Sequence, residues 1–207
     1  MMKSLRKFGI VMTAAAILAG CGGEGSPQAE DTGTIAPQEQ AAENEVAAAP
    51  EEEGQAIPLA EGQLQISVPN GWLLNEDENP FDVQYIAPRQ DMNTGVFVYN
   101  LGELDGSMTA QEVFDFHVED LKSKRNNFTP IYTQKTETHQ GKTITASAFS
   151  GEKDGQEDYY KFTLLEFSDN PDVLLVLLQV SLPEAWGTSD PIFLDIARSA
   201  KTLPPAE

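Results

Sequence analysis

One thiol, two imidazoles and 33 side-chain carboxylates carry the reactive chemistry of this 207-residue chain. The thiol is Cys21, which closes the tetrapeptide Leu18-Ala19-Gly20-Cys21. It is the only cysteine, and its thiolate is the strongest nucleophile the side chains offer. His117 falls among Val113, Phe114, Val118 and Leu121 at helical spacing, with Asp120 three positions on, where it could orient the ring. A metal site would want a second ligand at i+4, where Leu121 stands, so His117 reads as a core histidine satisfied by one hydrogen bond. His139 precedes Gln140-Gly141 and reads as an exposed turn residue.

Carboxylates gather at Glu76-Asp77-Glu78 with Asp82, at Asp154 with Glu157-Asp158, and at Asp169 with Asp172. A calcium ion takes about six to eight oxygens, and no stretch has the D-x-D-x-D-G spacing that delivers them from one loop, so these groups read as solvated turn charge. There is no G-x-S-x-G elbow, no Walker pattern and no G-x-G-x-x-G. General acid and base carboxylates depend on a pocket to set their pKa values, so a carboxylate-based hydrolase stays open as the alternative to a binding protein. Trp72, Phe81, Tyr85, Trp186 and Phe193 are large aromatics outside the regular strand pattern. They read first as core packing under loops and second as the lining of a ligand groove. Phe116, at the margin of its helix beside the charged face, reads as an exposed apolar contact.

The elements that position these groups begin with an export address. Lys3, Arg6 and Lys7 precede an apolar run over residues 8–19, far shorter than the ~20 residues of a bilayer-spanning helix. With the small residues before Cys21, this resembles the signal peptide and lipobox of bacterial lipoproteins. The resemblance implies that residues 1–20 are removed, that Cys21 is alkylated by a diacylglycerol, and that the new amino terminus is acylated. An ordinary cleaved signal with an incidental cysteine is the alternative. Gly22 follows the cysteine where an inner-membrane retention signal would carry Asp. For a Gram-negative source this implies the outer membrane, facing the periplasm.

The net charge of −20 excludes a nucleic-acid polyanion as partner and gives anionic headgroups nothing to bind. Membrane affinity would come from the lipid, since two or three acyl chains anchor stably where one does not. With Cys21 acylated, no thiol remains for disulfides, thiol catalysis or metal binding, and no cofactor is implied. Residues 21–56 are rich in Ala, Gly, Pro, Gln and Glu and lack Lys and Arg, which predicts a disordered acidic tether. A transient helix over residues 39–49 is the rival reading.

Residues 57–207 have globular texture and suit one domain. Leu64, Ile66 and Val68 alternate as a strand, as do Val83, Tyr85 and Ala87, and residues 96–101 form another between turns at 91–95 and 102–106. Thr109-Ala110-Gln111-Glu112 is a capping box opening a helix to about Arg125. Four strands near 130–138, 142–150, 157–167 and 173–181 are joined too tightly for crossovers and predict an antiparallel meander. The last is apolar on both faces, so it must be covered on both. A final helix is expected with Asp190 as N-cap and Pro191 at its first position.

The order of these elements, with Val68-Pro69-Asn70-Gly71-Trp72 closing the first strand, resembles the Mog/PsbP-like fold and, within it, DcrB-like envelope lipoproteins. The resemblance covers about residues 57–203. It implies an α+β domain, an antiparallel sheet sandwiched by helices on both faces. Its members are binding or accessory proteins, which implies a lipid-anchored, non-enzymatic module at the membrane surface with a protein or small-ligand partner. No metal-site residue of the family can be matched to a position here.

Overall fold

The computed structural model describes residues 54–104 and 108–204. The signal, Cys21 and the greater part of the expected tether lie outside the described residues. In chain order the elements are β1 (Gln55–Leu59), β2 (Leu64–Val68), β3 (Leu73–Leu74), β4 (Val83–Ile86), β5 (Met92–Asn100) and α1 (Ala110–Lys122). They continue with β6 (Asn126–His139), β7 (Lys142–Lys153), β8 (Gln156–Phe167), β9 (Asn170–Ser181), α2 (Trp186–Ser199) and β10 (Lys201–Thr202). No helix among the described residues is long and apolar enough to cross a membrane.

Seven strands form one sheet in the order β3-β4-β5-β9-β8-β7-β6, every neighbouring pair antiparallel. The four-strand meander is present as expected. Its β6–β7 hairpin turns on Gln140 and Gly141, both with positive φ, the geometry a two-residue loop needs to match strand twist. β9 lies mid-sheet, and its side chains alternate between two cores. Val173, Leu175 and Leu177 join one with α2, while Leu174 and Val176 join the other with Val113, Phe114 and Leu121 of α1. Period-two alternation on a strand covered from both sides produces this division.

The face under α2 has a second cover that the periodicities do not reveal. β1, β2 and β10 form a separate three-stranded sheet, and Ile57, Leu59, Leu64, Ile66 and Val68 pack into the α2 core. β1 also takes in Gln55 and Ala56, which composition had placed in the tether.

α1 opens on Thr109 with both halves of the capping box made, and ends at Lys122, three residues before Arg125. β5 starts at Met92, so residues 92–95 are strand and not turn. Gly95 reads as a turn signal from sequence, but a Cβ there would meet the Phe81 ring at 2.2 Å, and the glycine serves that close approach.

The expected start of the last helix is also corrected. α2 begins at Trp186, continuing from a short 3-10 turn over Pro183–Ala185, and Pro191 lies inside it. The amide that Pro191 lacks would have bonded the carbonyl of Gly187, an exposed residue. Asp190 caps nothing, because its carboxylate is drawn to the sheet by Lys161 Nζ at 2.8 Å. At the other end, Lys142 Nζ donates to the carbonyls of Arg198 and Ala200, both at 2.6 Å, placing a cation on the negative end of the helix dipole.

The sheet ends differ. β6 is a 14-residue edge, but Pro130 lies in it, Asn127 and Gln134 have positive φ, and its register with β7 shifts at three points. These devices discourage pairing with another strand. β3 is short and carries Leu73 at 67% and Leu74 at 48% exposure.

Candidate functional site

α1 packs on β8 and β9, so among the described residues the same sheet face over β4 and β5 is covered by side chains alone. Phe97 and Tyr99 point there from alternate positions of β5. Around His117 they form an aromatic shelf. Ring centroids are 4.8 Å apart for Phe81 and Phe97, 4.2 Å for Phe97 and His117, and 5.6 Å for Phe116 and His117. Phe116 is the outermost ring, 48% exposed, as its place at the helix margin predicts.

His117 is 8% exposed and is hydrogen-bonded through Nε2 to the Tyr99 hydroxyl at 2.7 Å. The core-histidine reading holds, but its partner is Tyr99. Asp120 does not orient the ring: its carboxylate accepts from Lys124 Nζ at 2.7 Å. Burial pushes the His117 pKa down to about 4, with Asp120 pulling weakly the other way. Burial, with Asp82 nearby, pushes Tyr99 up to about 12. At neutral pH the pair is uncharged, which suits an apolar contact surface better than proton transfer.

The depressed pKa has a measurable consequence. Unfolded, a histidine titrates near pH 6.5, so as pH falls below that value the unfolded chain takes up the proton first. Stability from neutral His117 is therefore full above about pH 6.5, declines through the window down to about pH 4, and then levels off. Denaturant unfolding at pH 7.5 and pH 4.5 should show wild type losing on the order of 2 kcal/mol more than His117→Phe. Equal losses would mean that the ring is not held neutral.

Beside the shelf, joined to it by Phe81, is an open hollow of about 390 Å³ lined by Leu74, Asp77, Glu78, Phe81 and Asp82 among others. Asx turns shape its loop: Asn75 Oδ1 accepts from Asp77 N at 3.1 Å, and Asn79 Oδ1 accepts from Phe81 N at 3.1 Å. Asp82 is tied to β5, its carboxylate accepting from Val98 N at 2.8 Å. Side-chain amides of Asn75, Gln84 and Asn93 bridge β3, β4 and β5 across the same face.

The other sequence candidates separate. Asp77, Glu78 and Asp82 come together at the hollow. Asp158 is engaged locally, accepting from Tyr160 and Gln156, and Asp169 accepts from the Thr202 hydroxyl at 2.5 Å. His139 is half-buried at the end of β6, not exposed, because it faces Lys142 across the hairpin. Trp72, Tyr85 and Phe193 are core, as favoured, whereas Phe81 and Trp186 are half-buried. Among the described residues no group of three or more His, Cys, Asp or Glu side chains is placed to hold a metal ion.

The sequence reading missed Phe97, Tyr99, Leu73 and Leu74. Alternation along residues 96–101 carried the signal for the first two. For the leucines, the cue was an apolar pair separated only by Asn75 from an acidic run.

No protein-family model matches the chain, and a search of curated proteins finds no match. Solved structures do match. Cyanobacterial PsbP (CyanoP) from Synechocystis aligns at TM-score 0.53 and 17% identity over 73% of this chain and 94% of that one. The Ran-binding protein Mog1p of Saccharomyces cerevisiae aligns at 0.53 and 15% over 73% and 96%. LpqN of Mycobacterium tuberculosis, a protein involved in cell envelope biogenesis, aligns at 0.53 and 16% over 72% and 91%. At such identities the likeness is one of architecture, and this chain has the PsbP/Mog1-like α+β fold, a seven-stranded antiparallel sheet with a helix on each face.

Proposed function

We propose that this chain is a lipid-anchored envelope protein, held at the membrane through Cys21, whose domain acts as a non-catalytic binding or accessory module for a protein or small ligand. The observation that carries the binding half is the aromatic shelf. Phe116 stands half in solvent at the end of a run of rings through His117 and Phe97 to Phe81. Large aromatics presented on a rigid sheet and helix are the side chains that dominate recognition surfaces. The neutral His117–Tyr99 pair supports binding over acid–base work. LpqN, with the same fold, is involved in envelope biogenesis, which fits the address read from residues 1–21.

A photo-crosslinking residue at position 116 should capture a discrete partner in intact cells, and one at position 157, on the exposed β7–β8 hairpin, should not. Equal capture at both positions, or none at 116, would refute the shelf as the binding surface. For the anchor, metabolic labelling with a fatty acid should mark the mature protein and be abolished by Cys21→Ser. Label surviving that substitution would refute lipidation at Cys21. Fractionation should place the protein in the outer membrane, and recovery with the inner membrane would refute the sorting inferred from Gly22.

A further inference from the structure

The hollow beside the shelf combines two features that specify an occupant. Its apolar part is Leu74, 48% exposed on the edge strand β3, together with Phe81. Its polar part is Asp77, Glu78 and Asp82, none of which makes an ion pair with a described residue, and among the described residues no Lys or Arg lines the hollow. Exposed apolar area rimmed by unpaired carboxylates is complementary to one chemistry, a segment carrying both aliphatic side chains and cations. β3 adds a direction, since no strand among the described residues pairs with its outer side. An extended segment running beside it would send alternate side chains to one face.

We infer that the hollow between β3 and the 75–82 loop docks an extended cationic peptide segment, its lysine or arginine side chains between Asp77, Glu78 and Asp82 and its aliphatic side chains on Leu74 and Phe81. This inference rests on the reading of the domain as a binding module and names the partner chemistry for one part of its surface.

The test uses the full chain in a neutral detergent with a fluorescein-labelled heptapeptide, Lys-Ser-Leu-Ser-Lys-Ser-Leu, whose lysines and leucines share one face when extended, followed by anisotropy. The same peptide with glutamate in place of lysine is the control. Saturable binding of the lysine peptide is expected, weakened at least tenfold by Asp77→Asn with Glu78→Gln, and also weakened by Leu74→Ser. Asp154→Asn with Glu157→Gln, the same charge change on a distant hairpin, should leave it unchanged. Equal loss from the distant pair would overturn the inference, because the general field of the −20 chain would then be responsible. Absence of binding, or equal binding of the glutamate peptide, would overturn it too. So would a concentration-dependent dimer lost in Leu74→Ser, which would assign the edge to a second copy. Crosslinking at position 116 that persists while the peptide fails to bind removes this inference and leaves the proposed function standing.

Discussion

Asp190→Ala is expected to destabilise the fold by about 3–5 kcal/mol, far more than Lys161→Met at the other end of the same ion pair. Lys161 is 2% exposed, and its ammonium donates to the Asp190 carboxylate at 2.8 Å and to the Asp190 carbonyl at 3.2 Å. Removing the carboxylate leaves a positive charge inside the sheet–helix interface with one weak acceptor. Removing the lysine leaves Asp190, 36% exposed at its side chain, able to take up water and the Tyr132 hydroxyl, which donates to it at 3.2 Å. Burial already holds the Lys161 pKa below the usual lysine range, and Asp190 is the largest influence opposing that shift. Without Asp190 the folded pKa drops further. The unfolded chain then holds the proton across a wider span below about pH 10.4, and stability rises with pH through that span. Part of the loss in Asp190→Ala should therefore return as pH is raised from 7 toward 10. Denaturant unfolding of both variants at the two pH values measures this. A larger cost for Lys161→Met than for Asp190→Ala would show that the lysine acts through its stem and not through a paired charge.

The second large effect falls on β9. Leu174→Ala and Leu177→Ala should each cost about 2–5 kcal/mol, through lost burial and the cavity left behind. The two side chains lie in different cores: Leu174 opposes Val113 and Phe114 of α1, and Leu177 packs with Phe193 and Ile196 of α2. Both are 0% exposed. The exposed residue Glu157 serves as control, and Glu157→Ala should change stability by under about 0.5 kcal/mol. A large loss for one leucine with a surface-like value for the other would mean that one face of the sheet is open, against the two-sided architecture. Because the cores are on opposite faces, the double variant should lose close to the sum of the single losses.

The two effects differ in kind. The leucines report on apolar area, which any well-packed sheet would bury. The ion pair reports on how α2 is seated, because Asp190 lies in its second turn and ties it to the middle of β8. Lys142 fixes the opposite end through the carbonyls of Arg198 and Ala200. Two buried lysines of the meander thus hold the two ends of one helix, which leaves the opposite face of the sheet free to carry the shelf.

By itself the sequence determined those elements whose cause lies within a few residues. The start of α1 needs only Thr109 and Glu112, which satisfy each other's amides three positions apart. The meander needs only turns such as Gln140-Gly141 and Asp154-Gly155 between β-rich runs, and the two-sided cover of β9 is legible in its unbroken apolar run. Phe116 was legible as well, because helical spacing alone puts it at the edge of the apolar face. Tertiary structure decided what depends on groups far apart in the chain. Asp190 looks like an N-cap until Lys161, 29 residues earlier, claims its carboxylate. His117 has Asp120 at hand, yet its ring is bonded to Tyr99, 18 residues away, because burial removes the ring from the solvated side where Asp120 finds Lys124. β2 reads simply as an alternating strand, but it pairs with β1 and β10 and closes the α2 core from outside. Local signals act through short-range hydrogen bonds and conformational preference, which the order of residues states directly. A side chain's partner is instead set by which surfaces are buried together, and that follows from packing the whole chain.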